Sequence, residues 1–172
     1  MPHTVYLSLG SNVGDRAAQI ADAIDRLQAI GRVTATSSLY ETSPVEFTNQ
    51  PWFLNAVVEV ETCLDPERLM GLLLGIERAM GRERTTPKGP RTIDLDILLY
   101  DNLELHTAML DIPHPAMHQR RFVLAPLAEI APDLEHPSLN LTATQLLGRL
   151  TDKEVVRVYS APGLPRSRAE RK

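Results

Sequence analysis

Asp94 and Asp96 stand two residues apart in the run ThrIleAspLeuAspIleLeu, and residues 82–91 just before them carry Arg82, Arg84, Lys88 and Arg91 with two prolines. Successive side chains of a strand alternate faces, so the two aspartates share one face while Ile93, Leu95 and Ile97 take the other. Same-face neighbours lie roughly 7 Å apart, near enough for two carboxylates to hold a pair of Mg²⁺ ions ~3.5–4 Å apart for in-line phosphoryl displacement. Polar alternation on a half-exposed strand also produces such a pair without any metal role. Arg91, held behind GlyPro three residues ahead of Asp94, adds the fork-like charge neutralisation that a nucleotide phosphate site needs beside its metal. Kinase-like chemistry is therefore the leading expectation.

These residues need a strand with one buried face, and the chain supplies the elements for it. Val5, Leu7 and Leu9 alternate with Tyr6 and Ser8, predicting a first strand that stops at Gly10, Ser11, Asn12 and Gly14. GlySerAsn lacks the Walker lysine and a full GxGxxG, so it reads as a strand-to-helix turn before it reads as a phosphate loop. Apolar spacing predicts a helix over 15–30 with Gly31 as its C-terminal cap. Strands are expected over 34–41 and 53–62, joined by a segment, 42–51, long enough to be a binding loop. In the second of these strands Phe53, Asn55, Val57 and Glu59 share one face, and Leu54, Ala56, Val58 and Val60 form the core face.

Asp65 and Pro66 open a second helix that runs to Gly81, with Glu77 at the edge of its apolar stripe and expected in solvent. A strand over 92–100, an AspAsn turn and a short return strand over 103–106 follow. Strand, helix, strand, strand, helix, strand is the ferredoxin-like βαββαβ order, an α+β class. The right-handed crossover puts both helices on one face of an antiparallel sheet and leaves the other for the active site, where Asp94, Asp96, Phe53 and Asn55 should converge. Residues 112–122 are basic and broken by prolines, so His114, His118, Arg120 and Arg121 would extend a cationic lining if they fold over that face. A helix with Pro126 in its first turn, a capping box of Thr142 and Gln145 opening a last helix through 150, and a strand over 154–159 complete the expected elements.

A chain of 172 residues, 43% of them hydrophobic, suits one domain, expected over 1–160, with a disordered basic tail over 161–172. The single cysteine, Cys63, permits no internal disulfide and reads as an inert packing residue in a reducing compartment. No apolar run reaches the length of a membrane span and there is no signal-peptide pattern, so a cytoplasmic protein that does not engage membranes is expected. A net charge of -4 argues against broad nucleic-acid binding. The histidines match no zinc spacing.

Several blocks also resemble a known family in order: LeuGlySerAsn at 9–12, TyrGluThrSerPro at 40–44, GlnProTrpPheLeuAsn at 50–55, IleGlu at 76–77, and GlyProArgThrIleAspLeuAspIleLeu at 89–98. IleProHisPro and ArgPheValLeuAlaProLeu follow. Together they resemble the 6-hydroxymethyl-7,8-dihydropterin pyrophosphokinases of folate biosynthesis over about residues 4–135. The resemblance implies Mg²⁺-dependent transfer of the β,γ-diphosphate of ATP to the pterin hydroxymethyl oxygen. By the family pattern Asp94 and Asp96 bind two Mg²⁺, and Arg82 and Arg91 neutralise the transferring group. Glu77, Arg84, Arg91, His114 and Arg120 would contact ATP; Thr42, Pro44, Val45, Phe53, Asn55 and Phe122 would form the pterin pocket. Lys88, where members often carry an aromatic residue, and Pro115, where they can carry tyrosine, depart from the pattern on the nucleotide side. A monomer acting on small molecules is expected. The alternatives are a non-catalytic nucleotide- or RNA-binding module of the same fold and a metal nuclease built on the same aspartates.

Overall fold

The computed structural model describes residues 1–43, 49, 51–81, 91–152 and 154–160. The elements are β1 (His3–Ser11), α1 (Arg16–Leu27), β2 (Arg32–Thr36), β3 (Tyr40–Thr42), β4 (Phe53–Thr62), α2 (Pro66–Ala79), β5 (Asp94–Tyr100), β6 (Leu105–His106), β7 (Asp111–Ile112), α3 (Arg121–Ile130), α4 (Ala143–Gly148) and β8 (Val156–Val158). The main sheet runs β5-β1-β4-β3-β8, with β2 on the other half of β4. Every strand pair in it is antiparallel. With β2 and β3 as the two halves of one broken strand, this is the ferredoxin-like order expected from the sequence.

Local chemistry sets the helix starts. Asp15 accepts from the Ala18 amide at 3.1 Å and Asp65 from the Arg68 amide at 2.9 Å, while Pro66 fills a position that needs no donor. The expected role of Gly31 is corrected. Helix α1 ends at Leu27 with Gln28 as its cap, and Gly31 instead passes β4 so closely that a Cβ would lie 2.6 Å from the Glu61 carbonyl oxygen. The strand expected over 34–41 breaks because Ser37 takes over the pairing with Val57, its amide donating to Val57 O and its hydroxyl accepting from Val57 N, both at 2.9 Å. Glu129 of α3 then receives the Ser38 amide.

Two cores sandwich the sheet. Val5, Leu7, Leu9, Leu54, Ala56, Val58 and Val60 face Ile20, Leu27, Leu69 and Leu73 of α1 and α2, as the alternation predicts. Each buried leucine here would cost about 2–5 kcal/mol on truncation to alanine. On the opposite face Tyr6, Val57, Leu98 and Leu99 pack on Val123, Leu124 and Leu127 of α3 and Leu146 of α4. The later helices thus cover part of that face and leave the remainder open around the aspartates. The capping box of Thr142 and Gln145 is formed as expected. Helix α3 closes its first turn on the Arg120 carbonyl, so Pro126 stands as its sixth residue and not in its first turn.

The register of β5 shifts where Tyr6 faces Leu99 but Leu7 faces Ile97, leaving Leu98 as an extra residue. This bulge sends both Leu98 and Leu99 into the second core and turns Tyr100 into the first, away from the aspartates. The return strand expected over 103–106 is shorter, and β6 pairs with β7 in a separate ribbon. Cys63 is exposed, contrary to its expected packing role, because β4 ends at Thr62. The tail over 161–172 lies outside the described residues. Among the described residues, no helix is long and apolar enough to cross a membrane.

Candidate active site

Gly10 occupies the centre of the site, paired with Asp94 of β5 on one side and with Asn55 of β4 on the other. A Cβ on it would lie 2.8 Å from the Asn55 Oδ1 and 3.8 Å from the Phe53 ring, so the missing side chain leaves the floor of a cavity open between acid and amide. Thr42, Ser43, Phe53, Asn55, Arg91, Asp94, Asp96, His114, Arg120 and Phe122 surround that floor, with Ser8, Leu98 and Val123 completing the wall. The expected convergence of Asp94, Asp96, Phe53 and Asn55 on one sheet face is therefore present.

Asn55 is buried and its Nδ2 donates to Thr42 Oγ1 at 2.7 Å, which leaves its carbonyl oxygen over Gly10 as an acceptor. Arg91 is held from both ends. Its amide donates to Asn12 Oδ1 at 2.8 Å and its carbonyl accepts from Asn12 N at 3.1 Å. Its guanidinium bonds Asp94 at 3.0 Å and lies 5.3 Å from the Phe53 ring centroid, so one side chain spans the carboxylate and aromatic ends of the cavity. Arg120 lies over Phe122 in the same manner, at 5.6 Å.

Glu77 departs from the expectation of a solvated residue. The buried stripe of α2 follows Leu69, Leu73 and Glu77, so the carboxylate is 2% exposed and accepts the Leu95 amide at 2.9 Å. It supports β5 from behind, between the two aspartates, and does not line the cavity. His118 and Arg121 also turn away from the expected cationic lining. His118 stands edge-on to His136, and Arg121 pairs with Asp152 at 3.0 Å, because α3 starts at Arg121 and its side chains diverge from that of Arg120. Arg82, Arg84, Lys88, Pro44 and Val45 lie outside the described residues.

His114 does reach the cavity, but not as a cation. Burial, then the neighbouring Arg120, pushes its pKa down from 6.5 to about 4 against the opposing pull of Asp94 and Asp111. Its Nδ1 accepts the Ala116 amide at 3.1 Å, so the neutral ring carries its proton on Nε2 as a donor. The folded state thus binds this proton more weakly than the unfolded chain. The stability contributed is complete above pH 6.5 and is lost as pH falls from 6.5 toward about 4. Melting temperatures in the presence of a chelator should fall more steeply over that window in the wild type than in His114→Gln. Equal slopes would refute the neutral ring. Glu154, pushed up to about 7 chiefly by burial and Asp152, acts with the opposite sign, so the comparison between variants isolates the histidine.

Among the described residues, no three His, Cys, Asp or Glu side chains gather as a metal cage. Asp94 and Asp96 are two hard oxygen donors side by side on the cavity face, a donor set for a Mg²⁺ that arrives with substrate phosphates and keeps several waters. The residues fit that ion.

Residues 6–132 match the model of the 7,8-dihydro-6-hydroxymethylpterin-pyrophosphokinase family. The chain belongs to this family. The pyrophosphokinase resemblance seen in the 89–98 block therefore holds over most of the chain. It is 44% identical over 161 residues to the Bacillus subtilis 2-amino-4-hydroxy-6-hydroxymethyldihydropteridine pyrophosphokinase, covering 92% of each chain. It is also 44% identical over 152 residues to the folic acid synthesis protein fol1 of Pneumocystis carinii, covering 88% of this chain. The chain spans only about a fifth of that relative, 20% of its length. The crystal structure of wild-type Plasmodium falciparum HPPK-DHPS with pteroate superimposes with a TM-score of 0.71 at 19% identity, covering 87% of this chain and 42% of that one. This likeness shows the shared fold.

Sequence reasoning missed Gly10 as cavity floor and Asn12 as the clamp on Arg91, although both lie in the GlySerAsn turn it singled out. The sequence shows only polar residues at a strand end there; that Asn12 is 1% exposed and aimed at Arg91 is decided by the fold.

Proposed function

We propose that the chain transfers the β,γ-diphosphate of ATP to 6-hydroxymethyl-7,8-dihydropterin in folate biosynthesis, releasing AMP and the pterin diphosphate. The hydroxymethyl oxygen bonds to the β-phosphorus and loses its proton to solvent, while the bond from the β-phosphorus to the α,β-bridging oxygen breaks and that oxygen leaves with AMP. The observation that carries the reading is the position of Arg91, which touches both a paired carboxylate and an aromatic ring in one cavity. The pterin end comprises Thr42, Phe53, Asn55 and Phe122, with Pro44 and Val45 as further contacts. A flat heterocycle finds an acceptor in Asn55 Oδ1 and aromatic surface in the two phenylalanines.

The phosphate end comprises Arg91, His114 and Arg120 with Arg82 and Arg84, and Glu77 serves it through the Leu95 amide between the aspartates. Two Mg²⁺, held by Asp94 and Asp96, would polarise the phosphoryl oxygens and neutralise their charge when bound. Arg91 orients the diphosphate by a planar fork, and the neutral His114 donates from Nε2 without adding charge. The chain acts as a cytoplasmic monomer without nucleic-acid or membrane partners, a reducing setting that suits the free, exposed thiol of Cys63.

Incubation with ATP, Mg²⁺ and hydroxymethyldihydropterin should give AMP only when the pterin is present. A nuclease or a nucleotide-binding module would not couple AMP to a pterin. Phe53→Ala and Asn55→Ala should each weaken pterin affinity at least about tenfold, since base-type stacking and a buried hydrogen bond are each worth ~1–3 kcal/mol. ATP affinity should change little. Pterin fluorescence titrations set against a fluorescent ATP analogue and melting curves make the check, and equal damage to both ligands with lower stability would reduce Phe53 to a packing residue.

A further inference from the structure

Thr42 and Phe53 line the cavity, whereas the residues just before them, Glu41 and Trp52, line a shallow groove on the opposite side of the sheet. Arg157 of β8 reaches both. It stands opposite Glu41 in the strand register, donates to Glu41 Oε1 from Nε and Nη2, and lies 4.8 Å from the Trp52 ring centroid. One guanidinium thus holds the residue adjoining each of two walls of the cavity. Arg16, the first residue of α1, completes the cluster by donating to Glu41 Oε2 at 2.9 Å and to the Trp52 carbonyl at 2.8 Å.

The geometry points to Arg157 as a positioning residue for the pterin end of the site, acting from outside the cavity and from beyond the residues 6–132 that the family model matches. Strand β3 is three residues long and lies between β4 and β8, so its place depends on what its outer neighbour supplies. Beyond the arginine, the residue just before β8 contributes a reciprocal pair in which Ser43 N donates to Val155 O at 3.1 Å and Val155 N donates to Ser43 Oγ at 3.3 Å. Thr42 in turn receives the Asn55 amide, so a shift of β3 reaches the acceptor that faces the heterocycle. Asp94, Asp96 and His114 belong to β5 and the segment tied to it by the His114 amide on Leu98 O, with β1 and β4 standing between them and β3. These groups therefore lie farther from the change than Thr42 and Phe53 do. Although Arg91 meets Phe53 and its clamp Asn12 donates to the Pro51 carbonyl beside Trp52, the larger loss is expected at the pterin end. The Arg157 side chain is 62% exposed, so its removal opens no core.

This inference rests on the pterin assignment proposed above, and the experiment separates the two. Arg157→Ala is expected to raise the pterin Kd and KM about five- to tenfold through loss of a charge-assisted fork and a stacking contact. The ATP Kd, the kcat at saturating pterin and the melting temperature should stay near wild type. Arg157→Lys keeps the charge without the fork and should recover only part of the loss. If the wild type itself binds no pterin, the functional reading fails. If it binds and Arg157→Ala binds as tightly, the positioning role alone is overturned. Parallel loss of both ligands with a lower melting temperature would make Arg157 merely structural, and full recovery in Arg157→Lys would replace the fork-and-stack geometry by simple charge.

Discussion

Asp94→Asn and Asp96→Asn are each expected to abolish measurable turnover while leaving the melting temperature close to that of the wild type. Both side chains stand on the cavity face of β5, half-buried, and neither belongs to the hydrophobic clusters on either side of the sheet. An amide of the same shape keeps the strand but removes the negative charge that a hard cation requires. Losing that electrostatic stabilisation is worth about 4 kcal/mol or more, on the order of 10³-fold in rate. Asp94→Asn should be the more damaging of the two, since Asp94 also anchors the Arg91 guanidinium at 3.0 Å. Single-turnover AMP formation across a Mg²⁺ titration makes the measurement, and near-wild-type rates at saturating Mg²⁺ in either variant would refute the metal assignment.

Arg91→Ala should lower kcat about a hundredfold, the ~3 kcal/mol expected for a charge-assisted contact in a dry site. Asn12 holds the backbone of Arg91 through amide and carbonyl, so truncating the side chain leaves the chain trace in place. What disappears is the link between Asp94 and the Phe53 ring, and both ends of the cavity should register it: slower diphosphate transfer and a moderately weaker pterin complex. Arg91→Lys should recover charge but little rate, because a lysine cannot fork to two phosphate oxygens. Rates for Arg91→Lys within a few-fold of wild type would show that charge without geometry suffices.

Much of this was legible without coordinates, where the governing physics is local. The two-residue period of β4 and β5 placed Leu54, Ala56, Val58 and Val60 in the core and brought Phe53, Asn55, Asp94 and Asp96 to the other face. Capping residues announced the starts of α2 and α4 because an orphaned amide is satisfied within three residues.

Tertiary packing decided the rest. Glu77 reads as a surface residue by its charge, yet its burial depends on β5 lying against α2 and offering the Leu95 amide. Nothing in Ser37 announces that it will break a strand until Val57 is opposite it. The bulge at Leu98 exists only in the pairing of β5 with β1, and it alone sends Tyr100 to the far core. His114 and Arg121 look like equivalent cations in one basic segment; burial neutralises the first, and Asp152, 31 residues on, claims the second. Asn12 and Arg91 are 79 residues apart, so their clamp appears only once β1 and β5 are paired, since a hydrogen bond between distant residues has no period in the sequence to betray it.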